Sequence, residues 1–153
     1  MALTATLSKY KRNTFLVWIV LCIGFAAYCI YDGHFNEGCI KKHSSTDGKP
    51  DSTLTFNLKA PYVLFPLAAL LGVWLLVISK RKITAEETGL VIDGKINIAY
   101  DSIEKIDKTL FASKGRFIIT YKDAGGKETD RVISDKDYDN LPAILDHLVA
   151  KIS

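Results

Sequence analysis

Residues 60–79 read APYVLFPLAALLGVWLLVIS, a run of 20 residues without a charged side chain. A second uncharged run, TFLVWIVLCIGFAAYCIY, occupies residues 14–31. A helix rises about 1.5 Å per residue, so about 20 apolar residues cross a hydrocarbon core about 30 Å thick. A chain of 153 residues is too short to bury two helices that are apolar on every side. The runs therefore predict transmembrane helix 1 at residues 14–31 and transmembrane helix 2 at residues 60–79.

The first run is preceded by Lys9, Lys11 and Arg12, a basic flank that secretory signal peptides also have. The run is nevertheless long for the apolar region of a signal peptide. Residues 28–31, which read YCIY, do not form a small-residue cleavage site. We therefore expect the first run to be a retained membrane anchor.

Charge sets the expected orientation. Residues 1–13 carry three bases and no acid, and three further bases occupy residues 80–82. The connecting segment, residues 32–59, carries four bases and four acids. Because basic flanks stay on the cytoplasmic side, we expect a multi-pass protein of the inner (cytoplasmic) membrane with both termini in the cytoplasm. Residues 1–13 are then a cytoplasmic segment, residues 32–59 an extracytoplasmic loop and residues 80–153 a cytoplasmic domain.

Neither apolar run contains an ionisable Asp, Glu, Lys, Arg or His. Transporters and proton relays normally need such groups at membrane depth, so the runs argue against ion or proton translocation by this chain alone. Ala68 and Gly72 are four residues apart, a small-residue spacing that lets two helix backbones approach closely. The second run is therefore suited to packing against another helix.

The outer segment contains a cluster of groups that bind metals elsewhere: His34, Glu37, Cys39 and His43. Their spacing matches no zinc motif, so we predict no metal site and no cofactor. A solvated loop is the main expectation. A disulfide between Cys29 and Cys39, or a bond from Cys39 to a partner chain, stays open. The alternating residues 53–58 predict a short strand or a segment at the membrane surface.

The remaining chain predicts a small α+β domain. Residues 89–92 and 95–100 are strand-like and are joined by Asp93-Gly94, a strong hairpin signal. Residues 101–107 predict a helical turn or an irregular edge. Residues 116–121 and 128–133 predict a second hairpin around the loop 123–127.

The last stretch, residues 138–152, predicts an amphipathic helix, capped by Asp137 or Asp139 and with Pro142 in its first turn. Its apolar stripe has helical spacing and consists of Leu141, Ile144, Leu145, Leu148 and Ile152. This helix is expected to cover an antiparallel sheet.

The run from Gly89 through Ile96-x-Ile98-x-Tyr100 and Ile103-x-x-Ile106 to residues 113–115 resembles bacterial pleckstrin-homology-like domains attached to membrane spans. The resemblance covers about half of the chain. It implies a barrel closed by a C-terminal helix. The full barrel has seven strands, whereas residues 83–153 have room for five or six. The resemblance thus implies a partial barrel or one that a partner completes.

The charges of residues 83–153 exclude some functions. Thirteen acids outnumber ten bases, so nucleic-acid binding is not expected. A solvated face is the main interpretation of Lys108, Lys114 and Arg116, with a small lipid-binding patch as the alternative. Asp101, Ser102 and His147 have no nucleophile-elbow context, and residues 125–126 do not precede a helix. We predict no enzyme, no catalytic residue and no small-molecule substrate.

The expected function is therefore that of a non-catalytic accessory or scaffold subunit of a larger membrane protein complex. Its partners would be other integral membrane subunits and the lipid bilayer, with the cytoplasmic domain docking on a partner face. The alternatives are a membrane-anchored sensor or regulatory protein, whose outer loop binds a signal, and a lipid-binding adaptor.

Overall fold

The computed structural model describes residues 2–152. The chain divides into two compact units, one formed by residues 14–75 and the other by residues 1–13 together with 76–153. The elements in chain order are β1 (Leu3–Thr6), α1 (Lys9–Ile30), α2 (Glu37–Lys42), α3 (Ser52–Ile78), β2 (Lys82–Ala85), β3 (Gly89–Ile92), β4 (Ile96–Ala99), β5 (Ile103–Asp107), α4 (Phe111–Lys114), β6 (Arg116–Lys122), β7 (Glu128–Ser134) and α5 (Leu141–Ile152).

The unit of residues 14–75 is helical. All residues of each apolar run except the last lie within a longer helix, since α1 extends from Lys9 to Ile30 and α3 from Ser52 to Ile78. A π-helical turn, Tyr31–Phe35, and the short α2 follow α1. The prediction of a strand at residues 53–58 is wrong, because these residues form the first turns of α3. Leu54 and Asn57 are buried there with the three-residue spacing of a helix.

The first turn of α1, residues 9–13, belongs to the sheet-containing unit and is fastened to other residues of that unit. The Ser8 hydroxyl accepts a hydrogen bond from the Lys11 amide at 3.1 Å, as a helix N-cap does. The same hydroxyl donates to the Lys136 carbonyl at 2.5 Å. The Asp139 carboxylate accepts from the Lys9 amide at 3.1 Å, and Asp137 forms an ion pair with Lys11. The two carboxylates expected to cap the last helix thus contact the first turn of α1 instead.

Seven strands within the described residues form two antiparallel sheets, with the orders β1-β2-β3-β4 and β5-β6-β7. The expected count of five or six strands for residues 83–153 is confirmed, because this part of the chain supplies six, β2 to β7. The N-terminal segment supplies the seventh. β1 pairs with β2 in the register Leu3↔Ala85 to Thr6↔Lys82. The strand that completes the first sheet therefore precedes α1, while its neighbour follows α3.

The core of this unit is one cluster to which both sheets and α5 contribute. Phe117 and Ile133 of the second sheet are fully or almost fully buried, as is Leu90 of the first. The predicted stripe on the last helix is confirmed at four positions: Leu141, Ile144, Leu145 and Leu148 are all buried, whereas Ile152 is 37% exposed. The coarse prediction of two long apolar helices and a small antiparallel α+β region is thus confirmed.

The segment at residues 101–107 combines the two alternatives that its sequence left open. A 3₁₀ turn, Tyr100–Ser102, leads directly into β5. The pairing of β5 with β6 shifts register between Ile103 and Lys105. Such an irregularity changes the alternation of side chains along a strand. It brings Ile103 and Ile106, three residues apart, to the same core.

Candidate functional site

The surface of the helical unit is unusually apolar. Trp18, Leu70 and Trp74 are each more than half exposed, and most of the other large apolar residues of α1 and α3 are exposed as well. In the most apolar 18-residue window of each helix, only 11% and 17% of the residues are buried. Both helices are long and apolar enough to cross a membrane. A core helix of a soluble protein would instead hide these side chains.

The residues that are buried in this unit are mostly small. Ala26 and Cys29 are the buried residues of α1, and Ala60 and Ala68 are buried in α3. The rings of Phe25 on α1 and Phe56 on α3 lie 6.2 Å apart between centroids. Small side chains let helix backbones approach, which is how helices associate where the hydrophobic effect between them is absent.

Two glycines of the helices face open space. A Cβ atom built on Gly24 or on Gly72 would meet no other atom of the chain within 4 Å. Ala68, by contrast, is buried, so the predicted pair Ala68-x-x-x-Gly72 does not act as one contact within this chain. Gly24 and Gly72 are instead positions where a helix from another chain can approach closely.

The predicted outer cluster does not come together as a metal site, since no group of three potential His, Cys, Asp or Glu ligands forms within residues 2–152. His34 lines an apolar cavity of about 360 Å³ with Tyr62 and Phe65. Glu37 forms an exposed ion pair with Lys41 at 3.1 Å. Cys22, Cys29 and Cys39 are all free thiols. The structure therefore contains no disulfide between Cys29 and Cys39.

The fourth residue of the cluster, His43, fastens the loop before α3. Its Nδ1 lies 2.7 Å from Oδ2 of Asp51, while Oδ1 of Asp51 accepts from the Leu54 amide at 2.9 Å. The bond from Leu54 and then that from His43 lower the pKa of Asp51 below its ordinary value. The Asp51 amide also donates to the His43 carbonyl at 2.8 Å. This pair of side chains closes the turn at residues 44–50.

The candidate groups of the sheet unit are dispersed. Lys114 and Arg116 line a cavity of about 550 Å³, but Lys108 is not among its lining residues. The Ser102 hydroxyl donates to the Ala99 carbonyl at 2.7 Å. The His147 ring packs edge-on against Tyr100 with centroids 6.1 Å apart. The serine and the histidine are thus each engaged elsewhere, with no hydrogen bond between them in the described part of the chain.

Sequence reasoning missed one grouping of bases. A cleft of about 410 Å³ is lined by Lys80, Arg81, Lys95 and Arg131, which come from the end of α3, the β3–β4 turn and β7. The sequence signal for this grouping is the basic flank of the second apolar run, residues 80–82, which also indicates orientation. Arg131 lies 50 residues after Arg81, and the sequence pattern does not indicate which residues it contacts in the fold.

Comparison with known proteins yields no match: no family model fits the chain, and neither a curated protein nor a solved structure is significantly similar to it.

Proposed function

We propose that this chain is a non-catalytic integral membrane accessory or scaffold subunit of a larger membrane protein complex. The observation that carries the proposal is the exposed apolar surface of α1 and α3, which only lipid or other membrane helices can cover without cost. The described parts of α1 and α3 that lie within residues 14–31 and 60–79 contain no charged side chain. Such helices are suited to lateral packing and poorly suited to moving ions.

The sheet supports a topology in which the start of α1 and the end of α3 lie on the same side of the membrane. β1 lies before α1, β2 lies after α3, and the two strands are hydrogen-bonded neighbours. Both must therefore lie on the same side of any membrane that the helices cross. The basic residues 80–82 and the three bases of residues 1–13 favour the cytoplasmic side of the inner membrane.

The sheet unit is proposed to be a pleckstrin-homology-like domain. Supporting this are its sheets of four and three antiparallel strands and the helix α5 that shares their core. With β1 in place, the seven strands that the resemblance implies come from one chain. The proposed barrel therefore needs no strand from a partner chain. We also propose that this domain docks on partner subunits, because it is attached to the helices that we propose to pack against those subunits.

The proposal can be tested at the two open glycines. Gly72→Leu and Gly24→Leu add side chains where this chain has free space, so its own fold should tolerate both. A partner helix packed there would be displaced. Val63→Leu is the matched control, because it lies nine residues before Gly72, on the opposite face of α3, and is 67% exposed.

The measurement is extraction in mild detergent, followed by a native gel and mass spectrometry of co-migrating chains. We expect wild type and Val63→Leu to migrate with partner subunits and at least one glycine variant to lose them while remaining in the membrane fraction. Migration of the wild-type chain as a lone small protein would refute the accessory-subunit proposal.

A further inference from the structure

The cavity of about 550 Å³ that Lys114 and Arg116 line lies wholly within the sheet unit. One side is formed by α4 and the start of β6, and the other by the end of β7 and the residues that follow it. The polar lining consists of three bases, two hydroxyls and one acid: Lys114, Arg116, Lys136, Ser113, Ser134 and Asp135. We call this the α4–β7 cavity.

Backbone hydrogen bonds hold the two sides of the α4–β7 cavity together. Gly115 ends α4 with a left-handed φ of 61°, and its amide donates to the Phe111 carbonyl at 2.9 Å. The Asp135 amide donates to the Gly115 carbonyl at 2.8 Å. Arg116 and Ser134 are register partners at the ends of β6 and β7. The spacing between the bases is therefore set by the fold.

The bases of this cavity have no counter-charge from the protein. None of the three forms an ion pair with a carboxylate within residues 2–152. The Nε–H of Arg116 is buried and has no acceptor among the same residues. Buried donors in folded proteins are nearly always paired, because desolvation without a hydrogen bond is costly. The arrangement therefore favours an acceptor that another molecule supplies.

Asp135 helps to decide which class of anion fits. Its exposed carboxylate forms no ion pair in the described part of the chain, and it would repel a lone phosphate group. A peptide segment with acidic side chains also carries backbone N–H groups, which this carboxylate can accept. The hydroxyls of Ser113 and Ser134 can donate to further carboxylates. The lining thus matches a ligand with several carboxylates and N–H donors.

The α4–β7 cavity lies beside the start of α1. The carbonyl of Lys136 accepts from the Ser8 hydroxyl at 2.5 Å, and the next residue, Asp137, forms an ion pair with Lys11. A partner subunit whose helix packs along α1 ends near Lys9, where α1 begins. A segment that continues from such a helix is therefore close to this cavity.

We propose that the α4–β7 cavity docks an acidic peptide segment of a partner subunit. Lys114, Arg116 and Lys136 pair with its Asp or Glu side chains through charge-assisted hydrogen bonds. Over residues 83–153 acids outnumber bases, so most of this unit repels the same segment and the docking position is specific. This inference rests on the proposed accessory-subunit function and names the surface by which the sheet unit engages its partner.

The first test measures binding of a defined acidic probe to the full chain in detergent. The probe is a dye-labelled hexaglutamate peptide, followed by fluorescence anisotropy, with inorganic phosphate as competitor. Lys114→Glu/Lys136→Glu is the cavity variant. Lys105→Glu/Lys127→Glu is the control, because it makes the same change of charge at two exposed bases outside the cavity. Melting temperatures check that both variants fold, and Lys114→Gln/Lys136→Gln replaces a cavity variant that does not.

We expect the wild type to bind hexaglutamate, and the cavity variant to bind it at least tenfold more weakly than the control does. Absence of binding to the wild type, or equal binding by the cavity variant and the control, would overturn the proposal. Displacement of hexaglutamate by an equimolar amount of inorganic phosphate would overturn the peptide as the ligand, because it would identify a phosphate site.

The second test identifies what occupies the cavity in native membranes. A photo-cross-linking benzoylphenylalanine replaces Ser113, which is exposed and lines the cavity. The control position is Ala124, which is exposed in the loop at the other end of the β6–β7 hairpin. We expect a cross-link from position 113, and none from position 124, to a partner segment in which acids outnumber bases.

Cross-linking to a phospholipid, or to a segment in which bases outnumber acids, would overturn the proposal. A chain that co-migrates with partner subunits on a native gel but gives no cross-link from position 113 refutes this docking site alone. A chain that migrates alone refutes the accessory-subunit proposal instead, and the hexaglutamate measurement then still decides whether the cavity binds acidic peptides.

Discussion

Replacement of Leu145 by alanine tests whether α5 is part of the core of the sheet unit. Leu145 is 5% exposed and belongs to the same buried cluster as Phe117 and Ile133. Removal of a leucine side chain at such a site costs about 2–5 kcal/mol in unfolding free energy, through lost burial and the cavity left behind. A loss of about 3 kcal/mol is expected here, because the site is almost completely enclosed.

The assay is amide hydrogen exchange of the full chain in detergent micelles, read in peptides from β6 and β7. Where these amides exchange through unfolding of the unit, each 1.4 kcal/mol changes the rate tenfold, so Leu145→Ala should accelerate exchange about 100-fold. Amides in the apolar parts of α1 and α3 should keep their protection, because their hydrogen bonds lie within each helix.

Asp146→Ala is the neighbouring control. Asp146 is exposed, and a surface substitution of this kind usually changes stability by less than about 0.5 kcal/mol. Unchanged exchange in β6 and β7 of Leu145→Ala would refute the assignment of α5 to the core. So would an acceleration by Asp146→Ala as large as that by Leu145→Ala.

Three further outcomes are expected. An impermeant thiol reagent applied to intact cells should label Cys39, whereas a cysteine at Lys127 should react only after the membrane is opened; the reverse pattern would invert the proposed topology. Gly115→Ala should destabilise the sheet unit by about 1–3 kcal/mol in urea unfolding, because φ is +61° and the new Cβ would lie 1.8 Å from Asp135 Oδ2. Addition of Asp135→Ala to this variant should recover only the part of the lost stability that is due to the steric clash. The pKa of Asp51 is lowered in the fold. The ionised carboxylate therefore stabilises the fold at pH values above the ordinary Asp pKa, and this stabilisation is lost as the pH falls through the lowered pKa. The protection factor of the Leu54 amide, which corrects the exchange rate for its intrinsic pH dependence, should then fall on acidification below about pH 4 in the wild type and lose that dependence in Asp51→Asn.

The features that sequence reasoning found are those written in consecutive residues. The two apolar runs are continuous, so their helical character follows from length and composition alone. The buried face of α5 follows from the spacing of Leu141, Ile144, Leu145 and Leu148, which is local as well. The hairpin at Asp93-Gly94 was recognisable because its turn needs left-handed residues that few dipeptides supply.

The features that sequence reasoning missed depend on contacts between residues that are far apart in the sequence. β1 is four residues long, and its only fully buried side chain is that of Ala5, so its alternation is weak. Its partner β2 begins at Lys82, which no local pattern indicates. The basic cleft was missed for the same reason, since Arg131 and Lys95 become neighbours only through the fold.

One local pattern was misleading and another left two alternatives open, in both cases for physical reasons. Residues 53–58 alternate like a strand, but Leu54 and Asn57 also have helical spacing, and the helix continues into the apolar run. Ile103 and Ile106 have helical spacing although they lie in β5, because the register shift changes which face each side chain takes. In both cases the segment is too short for its apolar spacing to distinguish a strand, with a period of two residues, from a helix, with a period near 3.6.

The pairing of β1 with β2 has a practical consequence for protein engineering. Thr6 and Lys82 are register partners at the ends of adjacent antiparallel strands, yet residues 7–81 lie between them. A turn of two to five residues is enough to join such strand ends. A chain in which a short turn replaces residues 7–81 would therefore keep every strand of the sheet unit in sequence order, as a water-soluble miniature without the apolar helices. A fragment that simply begins at residue 80 would instead present the bare edge of β2 to solvent and to other copies of itself.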